Sequence, residues 1–587
     1  MPLPRWVKWF HASHCEKDEE VVIDTAVATP ATRAKYVVWS ELATLAGFCA
    51  YLFFYGLGSF GLVGADEPRY AQIAREMFAR RDWITPLLNG VPWLEKPALY
   101  YWSAILSYRV FGVSDWAARL PSAVFATAMV MAIYFFMRRF HGMHLDAALM
   151  AASSAAIIGF ARGASTDMPL AATFTMAMLA WYAWLDTGRK LWLAGFYLMM
   201  ALGTLAKGPV APALAGLITA IFALTVRSET RATRWRLIAQ TLWVPGVLLF
   251  LVVALPWYIA VQLKTHQFFQ VFILQHNLER FGTNLYRHQQ PFWFYLPVFV
   301  LSVLPWTVYV ISSIAATLRG ETDQTAVQQN GASETGATQP GVTQDGSWRA
   351  FLLLWIAVPL VLFTISRSKL PGYILPAIPP CALLLAGWLR TRIAERASRA
   401  KAIAHALVCG LLLGGALLAP YFIVRLHPPS QAAAIAAVAG AVIAMAMAIS
   451  LRWQGLRILR FVTLVPVVLG LAFVLRVSAP VIDRAQSARP VANELSRLDT
   501  GHAPLAAFNV SRELEYGLDF YRNQPLLRYE RGEVPAGDHL LIARSGSESQ
   551  LDSLLGGRRL SHVGSFAPQR LEFYWVSSGS AHQHRTQ

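Results

Sequence analysis

Charged residues are scarce in this sequence, and so is cysteine. Only 14% of the 587 residues are charged, whereas 55% are hydrophobic, a balance that excludes an ordinary soluble globular protein. The four cysteines show no paired spacing, which argues against a disulfide framework or a zinc site. The first thirty-odd residues have no apolar core ahead of a small-residue cleavage site, so no removable signal peptide is expected.

Long apolar runs take the place of the missing charge. Runs of about 18 to 25 residues, such as Leu242–Val261 and Ala402–Ile423, can cross a hydrocarbon core of roughly 30 Å. We count about thirteen of them, which predicts an α-helical polytopic membrane protein. The predicted spans are 39–60, 117–137, 145–161, 168–186, 191–206, 209–226, 237–263, 291–317, 350–366, 371–389, 402–424, 431–450 and 459–477.

The formal charge of +17 could suggest a nucleic-acid-binding protein, but the Lys and Arg residues are dispersed in short clusters between apolar runs. These clusters, Arg138-Arg139 among them, fall in alternate connections, as the positive-inside rule requires. The rule places the basic connections and the N-terminal segment 1–38 in the cytoplasm. The remaining loops hold nearly every unusual polar residue and are predicted to be extracytoplasmic, with no nucleic acid as a partner.

Two stretches inside the predicted transmembrane catalytic domain, residues 39–478, are not membrane spans. The loop 62–116 is too long for a turn, and we expect two juxtamembrane helices there. In the first of them an apolar stripe that starts at Tyr70 is typical of a helix lying in the membrane interface. Residues 320–347, rich in Gln, Thr, Gly and Ala, are expected to form a disordered cytoplasmic linker.

The composition changes after the last span. Residues 479–587 contain strand patterns near 504–510, 539–544 and 570–577, and helical patterns near 487–499 and 547–556. An odd number of spans places this small C-terminal α/β domain outside the cytoplasm.

Candidate site residues gather in the extracytoplasmic loops. Asp66 directly follows the first span and could simply cap a helix that has a proline in its first turn. However, the pair Glu95-Lys96 closes the same loop, and Asp167 opens a span on the same side. Ionisable groups at membrane ends are costly unless they snorkel, pair or act, so three carboxylate sites on one face favour a function.

Other polar residues on this face have ordinary alternatives. Lys207 and Lys369 could snorkel to the interface, and a lone interfacial histidine such as His276 is more often a hydrogen-bonded surface group than a ligand. The segment Gly56–Gly61 formally matches a dinucleotide-binding pattern, but it ends a span and no strand precedes it, so that interpretation fails.

Seven spaced motifs resemble those of bacterial 4-amino-4-deoxy-L-arabinose lipid A transferases, which are related to protein O-mannosyltransferases in the glycosyltransferase C superfamily. The resemblance covers roughly residues 40–480 and departs from the family pattern in the linker 320–347 and at Gly372. The motifs are Asp66-Glu67-Pro68-Arg69-Tyr70-Ala71, Leu94-Glu95-Lys96-Pro97, Ser165-Thr166-Asp167, Ala206-Lys207-Gly208-Pro209, His276-Asn277-Leu278-Glu279-Arg280-Phe281, Pro291-Phe292-Trp293 and Ser368-Lys369-Leu370-Pro371-Gly372-Tyr373.

The resemblance implies a monomeric enzyme of the bacterial inner membrane that takes a sugar from a polyprenyl phosphate at a site facing the periplasm, with lipid A, another lipid or a protein as acceptor. It makes Asp66 and Asp167 the catalytic acidic residues, and it implies a divalent metal held by Glu95 and His276. The residues that it places around the donor phosphate are Lys96, Arg280, Lys207, Lys369, Tyr373, Arg69 and Tyr70.

Two other function classes compete with this hypothesis. A transporter or lipid flippase also clusters intramembrane charges, but it would place them through the bilayer midplane and often shows an inverted repeat, which we do not find in the hydropathy. A polysaccharide polymerase or ligase would share the extracytoplasmic site but would use a diphosphate-linked donor.

Overall fold

A computed structural model describes residues 30–225, 231–272, 290–321, 341–393, 395–498 and 503–577. The chain divides into two compact units, residues 1–44 and 45–587, and the described part of the first unit is the beginning of helix α1. The helices up to residue 392 are α1 (Pro30–Cys49), α2 (Asp66–Arg80), α3 (Leu99–Phe111), α4 (Asp115–Phe140), α5 (His144–Ala152), α6 (Ala155–Ala161), α7 (Asp167–Thr187), α8 (Lys190–Lys207), α9 (Val210–Thr225), α10 (Arg231–Thr241), α11 (Val244–Lys264), α12 (Tyr295–Ser302), α13 (Thr307–Leu318), α14 (Gly341–Ile365) and α15 (Pro379–Arg392).

The remaining elements complete the membrane part and form a small C-terminal domain. The last helices of the apolar region are α16 (Arg399–Ile423), α17 (Ser430–Gln454) and α18 (Leu459–Phe473). The elements that follow are α19 (Ala479–Gln486), α20 (Arg489–Leu498), β3 (Leu505–Phe508), α21 (Arg512–Arg522), β4 (Leu527–Arg528), β5 (His539–Arg544), α22 (Glu548–Leu555), β6 (Arg559–Phe566) and β7 (Leu571–Ser577); β1 (Leu87–Leu88) and β2 (Val91–Pro92) form a hairpin between α2 and α3.

The polytopic membrane fold is confirmed, with fewer uninterrupted spans than the thirteen expected. Among the described residues, eight helical segments are long and apolar enough to cross a membrane, or up to ten if each of two bent helix pairs is one span. The predicted spans 145–161 and 291–317 are these bent pairs, with bends of 63° and 113°. Ser430–Gln486 is one apolar helical segment of 57 residues among these eight. At 1.5 Å per residue it is far longer than a single membrane crossing requires.

The loop 62–116 contains the two expected helices, α2 and α3, but the apolar stripe of α2 does not face lipid. Tyr70, Ile73 and Met77 are at most 4% exposed and belong to a protein core that also includes residues of α3 and α21. The lipid contact inferred from the stripe is therefore wrong, because an apolar helix face can be covered by protein as well as by lipid. The juxtamembrane position of the helix stays a prediction.

The expected disordered linker 320–347 is shorter at its C-terminal end than predicted. Residues 341–347 form the first turns of α14, so the prediction of disorder is wrong for them. Residues 322–340 lie outside the described part of the chain, as do residues 1–29 of the predicted N-terminal segment.

The C-terminal domain is a five-stranded sheet with the strand order β4-β3-β5-β7-β6. Strand β3 is parallel to β4 and β5, while β7 is antiparallel to β5 and β6. Alternate residues of β5 point to opposite faces: Leu540 and Ile542 pack in one core with α20 and α21, and Leu541 and Ala543 pack in another with α22. Both faces of the central strands are thus covered, which explains their continuous apolar sequence.

Candidate active site

Asp66 is the first residue of α2, and its carboxylate forms an ion pair with the guanidinium of Arg69 one turn later. Ala65 occupies the cap position, and no side chain caps the helix. Helix capping therefore does not account for Asp66. Its side chain is 61% exposed, as a group that meets a substrate must be.

Arg69 lies in a cage of three aromatic rings. Its guanidinium carbon is 5.2 Å from the ring centroid of Tyr70, 5.0 Å from that of Trp93 and 5.7 Å from that of Tyr516. The first two rings come from the loop 62–116, and the third comes from α21 of the C-terminal domain. Cation–π contacts of this kind hold a cation in place without neutralising it.

Asp167 is the first residue of α7, and it is paired with Lys207, the last residue of the neighbouring helix α8. The Lys207 ammonium also lies 4.9 Å from the ring centroid of Tyr373. A Cβ atom on Gly372 would come within 2.7 Å of Asp167 Oδ1, so the glycine permits this close approach. The departure from the family pattern at Gly372 is thus in direct contact with the candidate site.

A buried ion pair between Glu67 and Arg119 joins the two aspartate segments. Arg119 is 1% exposed and donates from Nε to Glu67 Oε1 (3.1 Å) and from Nη2 to Glu67 Oε2 (2.7 Å). Glu67 also accepts hydrogen bonds from the backbone N–H groups of Val63 (2.9 Å) and Ala164 (2.7 Å). The beginning of α2 and the segment before Asp167 are therefore held by one carboxylate.

Electrostatics also links the two aspartates to Tyr70. Burial raises the pKa of the Tyr70 phenol well above its ordinary value, and the negative charges of Asp66 and Asp167 raise this pKa further. Both carboxylates thus act on the same side chain, which places them around one region of the structure.

Three buried donors beside Arg69 have no hydrogen-bond partner among the described residues: Arg69 Nε, Trp93 Nε1 and the hydroxyl of Tyr101. Tyr101 is fully buried, and its ring centroid is 6.4 Å from that of Tyr70. Leaving a buried donor unpaired costs roughly 1–3 kcal/mol, so such atoms are few in native proteins. Phosphate and sugar oxygens are hydrogen-bond acceptors of the kind that these three donors lack.

The other predicted donor-phosphate ligands have fewer contacts that relate them to the two aspartates. Lys96 donates to the carbonyl of Glu95 at 3.2 Å, and Glu95 acts electrostatically on Arg69 and Tyr101. Lys369 is buried and donates to the carbonyl of Ser366 at 2.7 Å. The charge of Glu95 therefore acts on the Arg69 cage, whereas the phosphate-binding roles of Lys96 and Lys369 stay predictions.

His276 and Arg280 lie outside the described residues. The described ranges contain no group of three His, Cys, Asp or Glu side chains that could hold a metal ion. A metal bound by Glu95 and His276 therefore stays a prediction.

Arginines also fix the segment Gly56–Gly61, and they do so through its backbone carbonyls. Arg119 donates to Leu57, Phe60 and Gly61, Arg162 to Leu52, Tyr55 and Gly56, and Arg489 to Gly58 and Ser59. The motifs did not reveal this role of Arg119. Its charge inside the apolar run 117–137 was the signal that could have revealed it.

Comparisons with known proteins show similarity to sugar transferases. Residues 95–259 match the family described as dolichyl-phosphate-mannose-protein mannosyltransferase. An undecaprenyl phosphate-alpha-4-amino-4-deoxy-L-arabinose arabinosyl transferase of Pseudomonas fluorescens is 31% identical over 381 residues, which are 64% of this chain and 60% of that protein. A Yersinia enterocolitica protein of the same name is 29% identical over 362 residues, 60% of each chain. The matched region thus spans about 60% of the length of these curated relatives.

A solved structure is similar over a much larger part of the chain. The crystal structure of ArnT from Cupriavidus metallidurans bound to undecaprenyl phosphate superposes with a TM-score of 0.71 and 23% sequence identity, covering 91% of this chain and 97% of that one. The resemblance predicted from the motifs is therefore confirmed: the chain has the glycosyltransferase C type membrane fold of ArnT and is similar in sequence to the lipid-linked aminoarabinose transferases and protein mannosyltransferases.

Proposed function

We propose that this membrane protein is a glycosyltransferase that moves a sugar from a polyprenyl-phosphate donor to an acceptor on the extracytoplasmic face. The observation that carries the proposal is the pairing of two acids with two bases, Asp66 with Arg69 and Asp167 with Lys207, at helix ends beside buried unpaired donors. The names of the relatives favour undecaprenyl phosphate as the lipid and 4-amino-4-deoxy-L-arabinose as the sugar, although another pentose or hexose would use the same chemistry.

The reaction exchanges one bond at the anomeric carbon for another. An acceptor oxygen forms a bond to the anomeric carbon while the bond between this carbon and the phosphate oxygen breaks. Polyprenyl phosphate leaves with the electron pair of the broken bond. The negative charge that grows on the phosphate needs fixed cations, which are worth more in a dry site than in water. We assign this role to Lys96 and Arg280, with Lys207 on the side of Asp167 and the neutral Tyr373 hydroxyl as a hydrogen-bond donor.

The role of Asp66 depends on the acceptor. If the acceptor is a hydroxyl group, Asp66 takes its proton as the general base of an inverting displacement. If the acceptor is a phosphate of lipid A, the nucleophile is already ionised, and Asp66 together with Asp167 orients the amino group of the sugar by charge pairing. Transfer assays with lipid A and with a hydroxyl acceptor separate the two cases.

A transporter is disfavoured by the position of the charges along the helices. Asp66 and Asp167 are first residues of their helices, and Lys207 is a last residue, so none of these charges lies in mid-helix. A transporter would have its substrate site near the bilayer midplane.

The decisive experiment is transfer by the detergent-purified protein from undecaprenyl phosphate-linked aminoarabinose. We expect turnover with this donor, loss of turnover in Asp167→Asn, and none with a diphosphate-linked donor. Weakened binding of undecaprenyl phosphate by Lys96→Ala would support the phosphate role, and turnover only with the diphosphate-linked donor would favour a polysaccharide ligase.

The sidedness is tested by cysteine labelling. Ser114→Cys and Ser430→Cys, both at exposed positions, should react with a membrane-impermeant thiol reagent in intact spheroplasts, and Ser228→Cys should not. The reverse pattern would contradict a periplasmic site in the inner membrane.

A further inference from the structure

One face of α21 connects the C-terminal domain to the candidate site. Tyr516, Asp519 and Phe520 are spaced i, i+3 and i+4, so they share one side of this helix. Phe520 accepts a hydrogen bond from Arg75 through its carbonyl at 2.5 Å, and Asp519 Oδ2 accepts one from Asn89 Nδ2 at 2.9 Å. The domain is therefore docked along α2 and on the β1–β2 hairpin.

Of these three residues, Tyr516 contacts the cation that pairs with Asp66. Its ring is the third wall of the cage around Arg69, and the other two walls, Tyr70 and Trp93, belong to the same loop as Arg69 itself. Tyr516 is buried at the boundary between the domain and this loop. Phe520 makes an equivalent contact with Arg75, which has no part in the site: the guanidinium carbon lies 5.8 Å from the Phe520 centroid.

We propose that Tyr516 is a positioning residue of the transfer site, through which the C-terminal domain holds the Arg69 guanidinium in the orientation that pairs with Asp66 and leaves Nε free of protein partners among the described residues. This inference rests on the proposed function. It gives the C-terminal domain, whose sequence carries no diagnostic motif, an indirect part in the reaction, through Arg69.

The physical reason is the loss of freedom that the third ring imposes. Arginine has many rotamers, and the pair with Asp66 is partly exposed, so the ion pair alone holds the guanidinium weakly. A cation held between aromatic faces in a nearly dry site is fixed in position while it keeps its charge. The Asp66 carboxylate oxygen that does not pair with Arg69 then keeps one fixed direction.

The kinetic test compares leucine substitutions at two neighbouring positions of the same helix face. Tyr516→Leu should lower kcat about 10-fold, the size expected for loss of one desolvated cation–π contact, with the KM for the lipid-linked donor within twofold. Tyr516→Phe keeps the ring and should restore most of the turnover. Phe520→Leu removes a ring from the same boundary without touching Arg69, so it should lower the melting temperature and leave kcat near the wild-type value.

A second measurement does not depend on transfer activity. Phenylglyoxal modifies accessible guanidinium groups, and mass spectrometry can compare Arg69 with the exposed Arg81 on the same chain. We expect Arg69 to react several-fold faster relative to Arg81 in Tyr516→Leu, and at the wild-type ratio in Tyr516→Phe and Phe520→Leu.

The outcomes separate this inference from the proposed function. If the wild-type protein transfers no sugar, the proposed function is refuted. The ratio of phenylglyoxal modification at Arg69 to that at Arg81 would still test the contact between Tyr516 and Arg69. If both leucine variants lose turnover equally and neither changes the modification of Arg69, Tyr516 only docks the domain and the inference is wrong.

Discussion

Replacing Glu67 by glutamine should damage both the stability of the protein and its turnover. The Glu67 carboxylate accepts four hydrogen bonds, two from Arg119 and one each from the backbone N–H groups of Val63 and Ala164. In glutamine one of the two oxygens becomes an NH2 group, which leaves two of these donors without an acceptor and removes the ion-pair partner of the buried Arg119. Breaking a buried ion pair in this way costs about 3–5 kcal/mol.

The matched control is Glu76→Gln on the same helix. Glu76 also accepts from backbone N–H groups, those of Asn89 and Gly90, but it has no arginine partner among the described residues. We expect this change to cost about 1 kcal/mol. Thermal unfolding in detergent should therefore give a clearly lower melting temperature for Glu67→Gln than for Glu76→Gln.

Transfer assays on the same samples measure the functional part. Glu67 joins the segments that carry Asp66 and Asp167, so its loss should displace both carboxylates and lower turnover by at least about 10-fold, since displacements near 1 Å can cost roughly 10²-fold. Equal melting temperatures for the two glutamine variants would refute the reasoning, because the buried pair would then contribute nothing beyond its backbone hydrogen bonds.

Three further predictions concern single positions. Asp66→Asn should lower turnover by roughly 10²-fold or more while the melting temperature stays unchanged; a stable variant with near-normal turnover would move the catalytic role to Asp167. Gly372→Ala should lower turnover strongly because its Cβ would meet Asp167, whereas Gly387→Ala, which has open space, should not; equal effects would show that the close approach is unimportant. Burial raises the pKa of Asp519 to about 7. The folded protein therefore keeps a proton that the unfolded chain releases near pH 4, so the free energy of unfolding falls as the pH rises from about 4 to 7. The side chain of Asp519→Asn cannot ionise, so the melting temperature of this variant should rise relative to that of the wild type between pH 5 and pH 8. A constant difference between the two melting temperatures over this range would contradict the raised pKa.

The sequence was sufficient for the features that depend on local pattern. Apolar runs predict membrane helices because lipid leaves few alternatives for the backbone, and β5 and β7 are buried strands with strongly apolar sequences. Strand β6 was missed because it is an edge strand with exposed residues, His562 and Ser565 among them, and a glycine in its interior. Helix α21 was missed because its apolar residues alternate with charges and it contains a glycine.

The candidate site was predictable only in part. Asp66 and Asp167 stand out in the sequence because each is a charge at the end of an apolar run. The walls of the Arg69 cage could not be predicted, since Tyr516 meets Arg69 across some 450 residues of chain and no periodicity connects the two. The apolar stripe of α2 was misassigned to the membrane partly for the same reason: one of the two helices that cover it, α21, lies in another domain.

The arginine contacts to Gly56–Gly61 have a consequence for how this region tolerates change. Because Arg119, Arg162 and Arg489 bind main-chain carbonyls, these hydrogen bonds depend on the path of the backbone. The ring of Phe60 adds a side-chain contact, since its centroid lies 4.6 Å from the guanidinium carbon of Arg119. Gly56 and Gly61 do not tolerate a side chain: Gly56 has a φ of +64°, and a Cβ atom on Gly61 would come within 2.1 Å of Ser487 Oγ. Substitutions at Gly58 and Ser59 should therefore be tolerated, whereas loss of an arginine should release the carbonyls that it holds. The stretch of chain that leads into the candidate site is thus held by three arginines from distant parts of the sequence, two in the membrane part and one in the C-terminal domain.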